Sequence, residues 1–245
     1  MSNIIKSIKN NIPNAVTCIN LLCGTLAIVA AFNCFDDVLW GLQGYQLAFL
    51  LIAIGAVADF CDGLVARLLH AVSGIGKELD SLSDLVTFGL APAMIIYNMM
   101  HIANPDSYWC FTAMLLPVFG ALRLAKFNVD TEQTTTFKGL PIPANALYWI
   151  GAAEFLANSP EVLQGGIVGM ILLFSILMVS DIPMFSFKLH GFSLRENWAQ
   201  FLLIIIAVIL LAVYRLEGLM FIIWAYILLS ILKDLINNVK SLKKE

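Results

Sequence analysis

Eight apolar stretches, at about 15–32, 46–69, 82–101, 107–124, 142–157, 163–179, 198–214 and 218–235, fill most of this chain of 245 residues. A helix that crosses a bilayer needs about 17–25 such residues. Most of the eight qualify; the fifth and sixth are short. No water-soluble core can absorb them. Hydrophobic residues make up 60% of the chain and charged residues 13%, against about 25% charged in an ordinary soluble domain. The surplus apolar surface has to face lipid. The expected fold is therefore an all-α integral membrane protein, a bundle of about eight transmembrane helices formed as a single domain over 1–245.

The basic residues give the orientation, because cytoplasmic loops collect Lys and Arg. With the N-terminus inside, Lys6, Lys9, Arg67, Lys77, Arg123, Lys126, Lys138, Lys188, Arg195, Lys233, Lys240, Lys243 and Lys244 all fall on the cytoplasmic side. Of the fourteen Lys and Arg, that leaves Arg215 alone outside. The 33–45 loop carries Asp36 and Asp37 and no base, and the 102–106 and 158–162 turns carry none. Both termini are expected to be cytoplasmic. Residues 1–12 read as a short interfacial segment or a tail, and no cleavable signal peptide is expected, since no small-residue site follows a short apolar run. The loops are short apart from 125–140 and 181–197, and no internal repeat is visible.

The net charge of −3 gives no electrostatic footprint for nucleic acid, and no such partner is expected. Cys18, Cys23, Cys34, Cys61 and Cys110 are scattered without a CxxC pair and read as free thiols. His70, His101 and His190 show no metal-ligand spacing.

Ionisable groups inside spanning helices are costly and usually functional, and here they are concentrated. Asp59 and Asp62 stand at i,i+3 near the cytoplasmic end of the second stretch, and Asp80 and Asp84 at i,i+4 at the start of the third. Each pair shares a helical face. The connection between them holds Ser73, Gly74 and Gly76, which suit a chain reversal that turns the pairs toward each other. Four close carboxylates in low dielectric need compensating charge. Hard divalent cations with oxygen ligands supply it, and Mg2+ or Mn2+ suits phosphate chemistry. Four acids suffice for two ions. Gly63 leaves room for a ligand beside the backbone, Ala66 is small one turn on, and Arg67 offers a planar fork to a phosphate. The competing reading, acids that cap or salt-bridge helix ends, leaves their pairing unexplained.

The run Asp59-x2-Asp62-Gly63-x2-Ala66-Arg67-x8-Gly76-x3-Asp80-x3-Asp84 places eight fixed residues over 26 positions. In all eight the chain resembles the CDP-alcohol phosphatidyltransferase family. The resemblance implies a bundle of transmembrane helices, often dimeric, with a cytoplasm-facing polar cavity and a binuclear metal site at Asp59, Asp62, Asp80 and Asp84. It implies Asp84 as the base and Gly63, Ala66, Arg67 and Gly76 as contacts of the CDP-lipid. Further segments are similar to the bacterial and archaeal phosphatidylserine synthases of this family: Pro13-Asn14-x2-Thr17-x2-Asn20-x3-Gly24, Ser83 through Ala93, Ala121 through Asn128, Phe137 through Ala144, and Met178-Val179-Ser180 to Phe187-Lys188. The family core thus runs over 1–188, with two additional helices at 198–235. One departure is Lys126, where the pattern has Arg; the charge stays and the bidentate geometry is lost. That branch implies CDP-diacylglycerol and L-serine as substrates, membrane lipids as surroundings, a homodimer, and residence in the plasma (inner) membrane.

Some of these segments have readings of their own. Arg123, Lys126 and Asn128 bring two cations and an amide to one helix end, which suits a serine carboxylate or an ordinary positive-inside flank. Asn20 suits a contact to the cytidine or phosphates, or a helix–helix hydrogen bond. Gly139-Leu140-Pro141-Ile142-Pro143 breaks helix and starts the fifth span, or is a plain loop. Glu154 is expected to have a local partner. Acceptors such as glycerol phosphate or inositol phosphate should demand more basic residues. A cation or proton transporter should carry its acids near the midplane of paired, broken helices, and a structural scaffold leaves the acids without purpose.

Overall fold

The structure, a computed structural model, describes residues 2–71, 73–130, 136–159, 164–186 and 197–242, and these are almost entirely helical. Lys188, Arg195, Lys243 and Lys244 of the orientation argument, and Phe187 of the last family segment, lie outside the described residues. Each of the eight apolar stretches folds largely as helix, but among the described residues five helical stretches are long and apolar enough to cross a membrane: Asn11–Ala31, Gly44–Leu68, Gly74–Ala103, Tyr108–Val129 and Trp198–Asn237. The chain divides into two compact units, Met1–Ala121 and Leu122–Glu245.

In the first unit, α1 (Ser2–Ala31) already includes residues 2–12, so the segment expected at the interface is continuous with the first span. Pro13 sits inside α1, and the Thr17 hydroxyl donates to its carbonyl at 3.1 Å. A small hairpin, β1 (Asp37–Leu39) with β2 (Leu42–Gln43), leads into α2 (Gly44–Leu68). Its turn holds Trp40 and Gly41 at φ +53° and +74°, the paired left-handed conformations that twist a two-residue hairpin correctly. Cys34, at the start of this connection, is buried, and burial pushes its thiol up to about 12. That agrees with an inert free thiol.

A Schellman motif ends α2. His70 takes the left-handed position at φ +50°; its N–H donates to Arg67 O at 3.2 Å, and the Ala71 N–H donates to Ala66 O at 2.9 Å. Ser73 then caps α3 (Gly74–Asp84) by accepting from the Gly76 N–H at 3.0 Å. The reversal therefore rests on His70 and Ser73 more than on the glycines. The third crossing begins at Gly74, well before the expected residue 82, and includes a π-helical turn over Leu85–Leu90 before α4 (Ala91–Ala103). The turn immediately precedes Pro92, which has no N–H to donate and whose ring crowds the carbonyl four residues back. Ala91 donates instead to Val86 O, five residues back. A 3-10 turn over Tyr108–Met114 enters α5 (Leu115–Val129).

In the second unit, Gly139 adopts φ +76°, and a Cβ there would stand 2.4 Å from Met178 O. This close approach seats β3 (Thr136–Lys138) antiparallel on β4 (Pro183–Phe185), with Phe137 opposite Met184. Pro141 caps α6 (Ile142–Asn158), and α7 is Gln164–Val179. The break expected at 139–143 is thus a helix start docked on a second strand. The core is aromatic: Tyr148 stacks on Phe174 at 3.8 Å between centroids, and Trp224 meets Phe174 edge-on at 5.7 Å. The last apolar stretch is a pair of helices, α8 (Trp198–Tyr214) and α9 (Gly218–Leu242), packed side by side across a turn in which Arg215 has φ +52°. Their role is partly to brace β4. The Tyr226 hydroxyl donates to Phe185 O at 3.0 Å, and the Gln200 amide to Ser186 O at 3.1 Å.

Candidate active site

Helix α1 packs against both α2 and α3, and between the latter two the acids meet. Asp59 and Asp62 from α2 and Asp80 from α3 each present a carboxylate oxygen, and the three oxygens lie within 4.8 Å of one another. Asp84 is outside this trio, yet its carboxyl adjoins that of Asp59, which interacts with both Asp80 and Asp84. One turn of helix, about 5.4 Å, separates Asp84 from Asp80. Asp62 is buried, and its Oδ2 has no hydrogen-bond partner among the described residues. A buried carboxylate oxygen left so is expensive. Three converging carboxylates with an unsatisfied oxygen form a hard, all-oxygen donor set that fits a divalent cation of the Mg2+ class. Asp59, Asp62 and Asp80 are the residues that would hold it.

Beside the acids lies a cavity of about 370 Å3. Gly63, Ala66, Arg67 and Gly76, singled out in the sequence, all line it together with Asp62 and Asp80. The helix explains this grouping: positions 59, 62, 63, 66 and 67 form one continuous face of α2. A Cβ at Gly63 would meet nothing nearer than the Arg67 Nη2 at 3.9 Å. Packing within the chain therefore does not require glycine there, and the space opens to the cavity. The Arg67 Nε–H donates to Gly63 O at 2.9 Å, which holds the guanidinium at the rim. At Gly76 a Cβ would crowd Asn14 Oδ1 and Ser73 Oγ, both at 3.1 Å. Asn14, Thr17, Ser73 and Lys77 also line the cavity and were not singled out. The signal was available for two of them, since the Pro13-Asn14-x2-Thr17 segment sets Asn14 and Thr17 about one turn apart on α1.

Asn20 is placed differently. It is fully buried, does not line the cavity, and its Oδ1 lies 3.0 Å from where a Gly55 Cβ would be. Neither atom of its amide has a hydrogen-bond partner among the described residues. Asn20 thus belongs to a layer one turn beyond Asp59 along α2.

In the second unit, Arg123 and Lys126 line a cavity of about 560 Å3 with Asp130, Lys138, Ser180 and Asp181, whereas the half-buried Asn128 is not among the lining residues. The buried Arg123 guanidinium lies 5.3 Å from the centroid of the Phe127 ring, and Lys126 Nζ donates to Val179 O at 3.0 Å. Glu154 Oε2 is buried and has no hydrogen-bond partner among the described residues.

The model of the CDP-alcohol phosphatidyltransferase family matches residues 10–185, a span that takes in the acid trio, its cavity and the strand pair. The chain belongs to the CDP-alcohol phosphatidyltransferase family. It is 38% identical over 182 residues to the CDP-diacylglycerol–serine O-phosphatidyltransferase of Bacillus subtilis, covering 74% of this chain and 94% of that protein. It is 32% identical over 234 residues to the enzyme of that name from Helicobacter pylori strain J99, covering 93% and 92%. To the one from Methanocaldococcus jannaschii it is 37% identical over 171 residues, covering 70% and 72%. The family span ends at Phe185, the residue whose carbonyl Tyr226 holds, so α8 and α9 extend the family core and brace its last strand.

Proposed function

We infer that this chain transfers the phosphatidyl group of CDP-diacylglycerol to L-serine, giving phosphatidylserine and CMP. The observation that carries the reading is the convergence of Asp59, Asp62 and Asp80 beside a cavity lined by Gly63, Ala66, Arg67 and Gly76, in a chain similar over most of its length to proteins named for that reaction.

The serine hydroxyl oxygen forms a bond to the lipid-side phosphorus, the bond from that phosphorus to the CMP oxygen breaks, and the hydroxyl proton leaves. Asp84 takes that proton in this reading, because it adjoins the acid trio without belonging to it. Arg67 at the cavity rim pairs with a phosphate of the nucleotide. Gly63, Ala66 and Gly76 keep the wall low enough for CDP to approach. Arg123 and Lys126 receive the serine carboxylate, with Asn128 beside them. Asp59, Asp62, Asp80 and Asp84 would hold two Mg2+ or Mn2+ ions, which when bound supply positive charge against the diphosphate. In this reading the chain has eight spans with cytoplasmic termini, a site facing the cytoplasm at the plasma membrane, lipid tails left in the bilayer, and a homodimeric state.

The test is CMP release by the purified chain with CDP-diacylglycerol and a panel of alcohols. L-serine should support it, and glycerol 3-phosphate and inositol phosphate should not. Release with a phosphorylated acceptor in preference to serine would assign the chain to another branch of the family.

A further inference from the structure

The cavity of the second unit carries charges of both signs: Arg123, Lys126 and Lys138 against Asp130 and Asp181. We propose that Asp181 receives the ammonium group of the acceptor while Lys126 and Arg123 take its carboxylate, so that the cavity selects a zwitterionic amino acid. The proposal rests on the transferase reading above and names the residue that sets its acceptor.

The cations and acids already face each other as loose ion pairs that a ligand can displace. Lys126 Nζ stands 3.8 Å from Asp181 Oδ1, and Lys138 Nζ 3.9 Å from Asp130 Oδ2. Both separations exceed the roughly 2.7–3.2 Å of a hydrogen bond. The Lys126 and Asp181 side chains are 61% and 84% exposed, and such pairs contribute little. A zwitterion that displaces an ion pair replaces each partner by a group of the same sign, so the exchange leaves the cavity's balance of three cations and two acids unchanged. Lys126 stays in place because it also donates to Val179 O, two residues before Asp181. Arg123 is a fixed cation, buried beside Phe127. Asp130, whose side chain is 24% exposed, is the less accessible acid. A phosphorylated acceptor would bring a dianion against Asp181 and Asp130 and would lack the ammonium group that answers them. At about 560 Å3 the cavity exceeds one amino acid, so selection has to come from charge placement rather than fit.

The experiment measures CMP release by the full chain in detergent, with metal and CDP-diacylglycerol, for L-serine, ethanolamine and 3-hydroxypropionate. Ethanolamine lacks the carboxylate and 3-hydroxypropionate the ammonium. For Asp181→Asn the serine KM should rise about 10- to 100-fold, the loss expected for a charge-assisted hydrogen bond. The KM for 3-hydroxypropionate and for CDP-diacylglycerol should stay within about twofold, and Asp181→Glu should recover most of the serine KM. Lys126→Met should instead narrow the preference for serine over ethanolamine. Equal changes for serine and 3-hydroxypropionate in Asp181→Asn would overturn the proposal and leave Asp181 a structural residue. If that variant proves inactive, the calorimetric Kd for serine decides: weakening supports the assignment and an unchanged value overturns it. Failure of the unaltered chain to use serine at all overturns the transferase reading, and this proposal with it.

Discussion

The Thr87 hydroxyl, on the π-helical turn, donates to the Asn20 carbonyl of α1 at 3.0 Å. It does so from between two glycines. A Cβ at Gly24 would stand 2.4 Å from Thr87 Oγ1 and 2.8 Å from its Cα, and one at Gly55 would stand 2.8 Å from its Cγ2. One turn earlier, the Ser83 hydroxyl has two acceptors for its one proton, Leu79 O of its own helix at 2.8 Å and Thr17 O of α1 at 3.3 Å. Thr87, and Ser83 more weakly, therefore hold the helix of Asp80 and Asp84 against α1.

The first prediction follows from this layer. Thr87→Val keeps the volume and deletes the donor, and it should cost about 0.6–1.7 kcal/mol, the range measured for interhelical hydrogen bonds in membranes. Gly24→Ala should cost more, about 1–3 kcal/mol, because the obstructing atoms include backbone that cannot swing aside. Thermal denaturation in one detergent checks the order. Equal losses would mean that the hydroxyl bond, rather than the close approach, holds the layer.

The second prediction concerns Gly139. Alanine there would meet both a left-handed φ of +76° and the Met178 carbonyl at 2.4 Å. Since β3 is seated on β4 through this contact, Gly139→Ala should unseat the wall that carries Lys138 and Asp181 and lower the folded yield several-fold. A variant as stable as the parent, with its serine KM unchanged, would show that the strand pair is dispensable.

Much of the first unit was legible because its motif is periodic. Asp59, Asp62, Gly63, Ala66 and Arg67 fall on one helical face, and any α-helix through them builds the same wall. The parts that were not legible lack a compositional signal. His70 takes a conformation usually left to glycine or asparagine, and the π-helical turn at Leu85–Leu90 reads as ordinary apolar helix until Pro92. Asn20 invited two readings, a ligand contact or a helix–helix hydrogen bond. Its amide oxygen comes close to Gly55, on another helix and 35 positions away, and no local pattern reports that. The count of spans was harder for a physical reason: α6 and α7, at 17 and 16 residues, fall near the minimum for crossing.

The third prediction tests the metal. In manganese titrations followed by electron paramagnetic resonance, the chain should bind Mn2+, and Asp62→Ala should weaken that binding at least tenfold. Asp62 is chosen because it is buried with an oxygen lacking a partner. Chelation should abolish CMP release, and Mg2+ or Mn2+ should restore it. Full turnover with metal content verified as nil would remove the cation from the mechanism.

The fourth prediction separates base from ligand among the acids. Asp84→Asn keeps the size and one oxygen while removing the basic carboxylate, and removal of a general base typically costs about 10²–10⁴ in rate. Losing a metal ligand can cost as much, so rate alone cannot divide the roles. Position can. Asp59 lies in the trio whose oxygens fall within 4.8 Å of one another, and Asp84 stands outside it while touching Asp59. Asp59→Asn should therefore weaken Mn2+ and CDP-diacylglycerol binding together. Asp84→Asn should abolish turnover and leave CDP-diacylglycerol affinity within about threefold, since Gly63, Ala66, Arg67 and the other acids remain along the cavity. Calorimetry at saturating Mg2+ on both variants gives the answer. Should Asp84→Asn lose affinity as severely as Asp59→Asn, Asp84 is a metal ligand only, and the serine proton must be taken by another group.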